Sequence, residues 1–138
     1  MGFLTLSPAQ VTPITPASKD ARVIAFQVPR TQTVADVEAW LPADASIISI
    51  VRELGTASNA GTTATVTLTV TNNSGTVSTA TDDVKTNGAT TGFVQMTALP
   101  NVQPVPLTGD LKITAVYAES GTASNTGGPW NYVVTYVR

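Results

Sequence analysis

From Thr63 to Thr71 the chain alternates without a break, with Thr63, Thr65, Thr67, Thr69 and Thr71 on one parity and Ala64, Val66, Leu68 and Val70 on the other. Side chains two residues apart in a strand share a face, so this stretch predicts a half-buried β-strand with a threonine side and an apolar side. Its β-branched residues suit a pleated surface and crowd a helix. Turn chemistry brackets it, from Gly55 to Gly61 before and Asn72-Asn73-Ser74-Gly75 after.

The same period recurs along the chain. Ala21 to Val28 puts Ile24, Phe26 and Val28 on one face with Arg22 at its end, and Pro29 stops it because proline cannot donate to a ladder. Ser46 to Leu54 is apolar on both faces, with Ile48, Ile50 and Leu54 on one and Ile47 and Val51 on the other. It predicts a central or partner-covered strand that forms a long-looped hairpin with the threonine strand. Asp110 to Glu119 aligns Leu111, Ile113, Ala115 and Tyr117. Trp130 to Arg138 aligns Trp130, Tyr132, Val134 and Tyr136, with Val133 and Val137 opposite. A further strand is expected from Gly92 to Leu99, after the Asn87-Gly88 turn signal.

Three stretches are less regular. Thr31 to Trp40 fits a short helix capped by Thr33, or a strand with Val34, Asp36, Glu38 and Trp40 on one face. The strand is preferred because Pro42 follows at once and the neighbours are strands. Thr76 to Thr86 predicts a short strand and a helical turn at Asp82, Asp83 and Val84. Pro100 to Gly109 is proline-punctuated and predicts an extended crossing between sheets.

Residues 1–20 stand apart, because Pro8, Pro13 and Pro16 interrupt every possible helix. They predict an extended N-terminal arm, with a disordered tail as the competing reading. Phe3, Leu4 and Leu6 are its apolar residues and the candidates for contact with a neighbouring subunit. The strands that follow predict an all-β domain over residues 21–138, a jelly-roll-like β-sandwich. Its core is expected from Ile24, Phe26, Ile48, Ile50, Val66, Leu68, Val70, Phe93 or Val94, Leu111, Ile113 and Val134.

Composition narrows the function. The 138 residues suit one domain, and the charged fraction of 12% is about half that of a typical globular chain. Net charge is −2 and there is no Lys/Arg run, which argues against nucleic acid or an anionic membrane as partner. No apolar run approaches the ~20 residues of a transmembrane helix, and MGFLTLSPAQ shows no signal-peptide pattern. The absence of cysteine and histidine removes disulfides, thiolate chemistry, histidine-based acid–base work and the usual zinc sites. No GxSxG, P-loop or GxGxxG occurs.

Asp36 and Glu38 are a pair of acids, and paired acids can be catalytic, but solvated edge charges are the simpler reading. Asp82-Asp83 lacks a calcium-loop pattern. Asn72-Asn73-Ser74 matches a glycosylation acceptor but is discounted without a secretion signal. No catalytic, cofactor or metal residue is therefore expected, and the chain reads as a non-enzyme. Trp40, Trp130, Tyr132 and Tyr136 are the aromatic candidates for binding sugars, although Trp130, at a strand start, fits a core lid better.

One pentapeptide occurs twice. Gly55-Thr56-Ala57-Ser58-Asn59 and Gly121-Thr122-Ala123-Ser124-Asn125 are identical, and each lies between two apolar strands. Coincidence in a Gly/Thr/Ala/Ser-rich chain competes with two similar hairpins on matching sides of a sandwich.

The order of motifs resembles the decoration, or cement, proteins of tailed bacteriophage heads. Leu41-Pro42-Ala43-Asp44-Ala45 leads into the apolar strand from Ile47 to Val51. Asn59-Ala60-Gly61-Thr62-Thr63-Ala64-Thr65-Val66 starts the next. Leu111 to Tyr117, a Gly/Thr loop and a strand ending Tyr136-Val137 close the chain. The resemblance spans about residues 22 to 138. It implies a structural virion protein on the capsid exterior that forms trimers or, less often, dimers and clamps neighbouring major capsid proteins. Phe3, Leu4 and Leu6 would then touch capsid or subunit. The alternative is a carbohydrate- or host-surface-binding module of a phage tail or fibre.

Overall fold

The computed structural model describes residues 21–30, 37–42, 45–94 and 111–137. The strands are β1 (Ala21–Val28), β2 (Val37–Leu41), β3 (Ser46–Arg52), β4 (Thr63–Asn72), β5 (Gly75–Asp83), β6 (Gly92–Phe93), β7 (Leu111–Ser120) and β8 (Trp130–Val137). They form two four-stranded sheets in the orders β1-β8-β3-β6 and β2-β7-β4-β5, and every pairing is antiparallel. The expected β-sandwich is thus present, and the strand order is that of a jelly roll.

That order has a simple origin. β4 and β5 form a hairpin about the Asn73-Ser74 turn, β3 pairs with β6, β2 with β7, and β1 with β8. The chain is one long two-stranded ribbon folded back at that turn. Rolling the ribbon brings β8 against β3 and β7 against β4, which closes the two sheets. At the turn, Asn72 Oδ1 accepts from Ser74 N at 2.8 Å, and Gly75 has φ +124°, a left-handed conformation that glycine adopts without strain.

The alternation of β4 sets the core. Ala64, Val66, Leu68 and Val70 are buried, facing the interior with Leu111, Ile113 and Ala115 of β7. From the other sheet come Val28, Ile47, Ile50, Trp130, Tyr132 and Val134, and Ile24 and Phe26 pack half-buried against this cluster. Removing a fully buried leucine or isoleucine from water stabilises by roughly 1.5–3 kcal/mol each, which explains why these positions fix the register.

Several expectations need correction. β3 and β4 do not form a hairpin. They lie in different sheets, and residues 53–62 arch between them, because β3 is occupied by β8 and β6 on its two edges. Ile48 is half-exposed, whereas Ile47 is buried beside Ile50. A bulge between Ile47 and Ser49 inserts one residue, shifts the parity and ejects Ile48. Of Phe93 and Val94, Val94 is the buried one. β5 is a full nine-residue strand, and Asp82 and Asp83 belong to it instead of to a helical turn. Its inward residues, Ser78, Ala80 and Asp82, are small or polar and hide the alternation.

Residues 37–41 are a strand, as preferred over a helix. Only Gly92–Phe93 of the expected strand after Asn87-Gly88 is paired among the described residues. β6 and β7 lie in different sheets, as a crossing between them requires, although residues 100–109 lie outside the described residues.

Candidate functional site

Three features beyond the core are candidates: the junction of the two arches, a buried polar triad, and the two outer faces.

The repeated pentapeptides meet. Residues 53–62 carry the chain from the first sheet to the second and residues 121–129 carry it back, so the two arches lie side by side. Asn59 Oδ1 accepts from Ser124 Oγ at 2.8 Å, Asn125 N at 3.0 Å and Thr126 N at 3.1 Å, and Asn59 Nδ2 donates to Asn125 Oδ1 at 2.5 Å. Gly61 N donates to Thr122 O at 2.8 Å. The close approach needs glycine: Gly121 has φ +81°, and a Cβ there would lie 2.7 Å from Thr62 N. The repeats are therefore two similar sheet-to-sheet arches in mutual contact, and neither is a hairpin.

Beneath them Ser58 Oγ and Tyr117 OH are 3.0 Å apart. Tyr117 donates to Glu119 Oε2 at 2.6 Å, and Glu119 Oε1 accepts from Ser124 N at 3.0 Å. Arg30 Nη1 closes the junction on Ser124 O at 2.6 Å. Burial, and then the hydrogen bond to Glu119, push the Tyr117 phenol above its ordinary value. The two asparagines are unequal despite their identical contexts. Asn59→Ala removes a side chain that satisfies two backbone N–H groups and a buried serine, and should cost about 1–2 kcal/mol in urea unfolding. Asn125→Ala removes a single side-chain bond and should cost a few tenths.

The triad ties the sheets together. Arg52 and Tyr132 are register partners on the inner face of the first sheet, and Asp82 reaches them from β5 of the second. Arg52 forms an ion pair with Asp82 through Nη1 and donates from Nε to Thr90 O at 3.0 Å. Tyr132 OH donates to Asp82 Oδ2 at 2.7 Å. Arg52 and Asp82 are only 4% and 8% exposed. Burial first, then the Asp82 charge, drive the Tyr132 phenol far above its ordinary value.

The folded chain therefore keeps the Tyr132 proton at a pH where the unfolded chain releases it, near 10. This contribution to stability is complete below pH 10 and should fall by about 1.4 kcal/mol per pH unit above it. Urea midpoints measured between pH 9 and 11 check the slope, which Tyr132→Phe should flatten.

The two outer faces differ in chemistry. On the second sheet, register rows join Thr114, Thr69 and Thr79, then Thr67 and Thr81, then Thr71 and Thr76, making a threonine surface. At its edge Glu38 pairs with Lys112, whose Nζ lies 5.8 Å from the ring centre of Trp40, itself 57% exposed. On the first sheet one row reads Ala25, Val133, Val51, Phe93. Val23 and Ile48 add to this face, with Gln27, Ser46, Ser49, Asn131 and Thr135 as its polar members and the exposed Glu53, whose N donates to Asn131 O, at its end. Three of the exposed large apolar side chains, Val23 at 63%, Ile48 at 50% and Phe93 at 81%, lie here.

Of the residues singled out from the sequence, Phe3, Leu4, Leu6 and Asp36 lie outside the described residues. Glu38 is exposed and held by Lys112. Trp130 and Tyr132 are fully buried and Tyr136 half-buried, so among the aromatic candidates for sugar only Trp40 offers an open face. Trp130 is the core lid, stacked on Tyr117 at 5.2 Å with its Nε1 donating to Thr56 O at 2.9 Å. Among the described residues every buried side-chain polar atom has a partner, and no group of three or more acidic side chains could hold a metal. The arch junction and the triad were not identified as sites in the sequence. The triad's signal was an inward-parity charge on each of two strands, Arg52 with Ile50 and Asp82 with Ala80, and the junction's was the repeated pentapeptide.

The chain matches no protein-family model, no curated protein and no solved structure.

Proposed function

We propose that the protein is a structural virion component that sits on the outer surface of a phage capsid and stabilises contacts between major capsid proteins. The observation that carries this reading is the division of labour between inside and outside. The buried polar side chains tie the sheets to each other, while three of the five large exposed apolar side chains among the described residues, Val23, Ile48 and Phe93, lie on one outer face. A body of that kind is suited to docking. Fold-level analogy supports the reading, since jelly rolls recur in viral capsids. The N-terminal 20 residues supply reach: extended, they span up to about 65 Å, and Phe3, Leu4 and Leu6 are the contacts to major capsid protein or a neighbouring subunit. Several weak contacts joined in one homo-oligomer become strong through effective concentration.

Purified protein should co-sediment with expanded capsids that lack it and raise the temperature at which they rupture. Deleting residues 1–20 should leave the sandwich folded and weaken that binding. Failure to bind expanded capsids overturns the reading.

Trp40 favours a second reading, a glycan- or host-surface-binding module of a tail or fibre. It is exposed, beside an ion pair and a threonine surface, and jelly rolls also serve as lectins. Glycan retention abolished by Trp40→Ala, with the fold intact, would select it.

A further inference from the structure

We infer that Asn87-Gly88 is a site of spontaneous covalent modification, at which the Gly88 backbone nitrogen displaces the Asn87 side-chain amide and leaves an aspartyl or isoaspartyl residue. The inference goes beyond the capsid reading and holds whether or not the chain meets a capsid.

The step needs a side-chain amide free to turn, a following backbone N–H that no acceptor holds, and little bulk on the attacking residue. Among the described residues these conditions coincide at Asn87. It lies in the loop that follows β5, where its N donates to Asp83 O at 3.2 Å and its carbonyl accepts from Thr90 N at 3.0 Å and Thr90 Oγ1 at 2.8 Å. The main chain is thus held, but the Asn87 side chain is exposed and bonds to no described residue. Gly88 is buried, yet its N donates to no described residue. A buried N–H without an acceptor is rare in folded proteins. This one has an electrophile next to it along the chain, Asn87 Cγ, with which it closes a five-membered ring.

The other described asparagines are restrained. The N–H that follows Asn59, Asn73 and Asn125 is already donated: Ala60 N to Ser58 Oγ at 3.3 Å, Ser74 N to Asn72 Oδ1 at 2.8 Å, and Thr126 N to Asn59 Oδ1 at 3.1 Å. Asn72 is held through the same Ser74 bond, and Asn131 Oδ1 accepts from Gln27 Nε2 at 3.0 Å. None of these asparagines precedes a glycine.

Hydroxide removes the Gly88 N proton and makes the nucleophile. The N–Cγ bond forms, the Cγ–Nδ2 bond breaks, and Nδ2 leaves as ammonia with a proton taken from water. Water then opens one of the two C–N bonds of the ring. Opening at Cγ gives an aspartyl residue. Opening at the main-chain carbonyl gives an isoaspartyl residue, whose main chain runs through Cβ and is one methylene longer. Either product lowers the net charge of −2 by one.

The longer chain has little room. A Cβ at Gly88 would meet Val84 O, and it would lie 2.9 Å from Trp130 Nε1 and 3.0 Å from Ala57 Cα. An inserted methylene therefore presses Gly88 against the Trp130 lid. It also displaces Thr90, whose carbonyl accepts from Arg52 Nε at 3.0 Å.

Ageing the full folded chain in mildly alkaline buffer tests this. Ion exchange should resolve an acidic species that grows faster as hydroxide rises, and peptide mass mapping should place it at Asn87. Asn87→Gln should remove it, because the longer side chain closes a six-membered ring far more slowly. The isoaspartyl fraction should unfold at lower urea than the parent. Asn87→Asp, which carries the charge without the extra chain atom, should keep the parent midpoint. Aged protein with Asn87 intact overturns the proposal, as does modification of Asn87 only in the urea-unfolded chain or an acidic species that maps elsewhere. An isoaspartyl fraction with the parent midpoint, or an equal loss in Asn87→Asp, overturns the coupling to the lid.

Discussion

Asp82→Ala should cost about 3–5 kcal/mol, a large part of the stability of a domain this size. The loss comes less from the missing attraction than from what is left behind. Arg52 is 4% exposed and its guanidinium would lose its charged partner, Asp82, inside the sandwich. The Tyr132 hydroxyl would lose the carboxylate oxygen it donates to at 2.7 Å. Thr90 O, which accepts from Arg52 Nε at 3.0 Å, cannot neutralise a cation. Replacing the pair together, as Arg52→Met/Asp82→Leu, should cost far less than Asp82→Ala alone, because no charge then remains to be desolvated. Urea unfolding of the single and double variants checks this. An Asp82→Ala protein within about 1 kcal/mol of the parent would mean that Arg52 escapes to water.

Trp130→Ala should be comparably severe, about 3–5 kcal/mol. The indole is fully buried, stacked on Tyr117 with the planes 22° apart, and anchors the first arch through Thr56 O. Its cavity cannot collapse easily, because three glycines bring backbone against the indole. Cβ atoms built at Gly55 and Gly128 would already lie 3.1 Å from the ring, and one at Gly88 2.9 Å from Nε1. Trp40→Ala, on the outer face, should change stability by no more than about 0.5 kcal/mol. The contrast between the two tryptophans separates lid from surface in one unfolding experiment.

Much of this fold was legible from period alone. β4 alternates strictly, β1, β7 and β8 each keep one apolar face, and their boundaries in the structure lie within a residue or two of those read from the sequence. Where polar and small residues took inward positions, as at Ser78 and Asp82, the pattern failed because hydropathy is blind to a charge paired across the core. Ile48 failed for another reason: a bulge depends on the partner strand, which single-strand parity does not contain. The link between the repeated pentapeptides was visible as identity, but their contact depends on both arches crossing at one end of the sandwich. The apolar outer face emerged only from register, since Ala25, Val133, Val51 and Phe93 lie far apart in the chain and become one row through three pairings.

The rolled ribbon also dictates an order of events during synthesis. β8 lies between β1 and β3 and pairs with both, so the first sheet has no centre until residues 130–137 leave the ribosome. The second sheet needs nothing beyond Ser120 and can assemble sooner. A nascent chain cut just before Trp130 would present β1 and β3 as two unpaired strand edges, open to any neighbouring polypeptide.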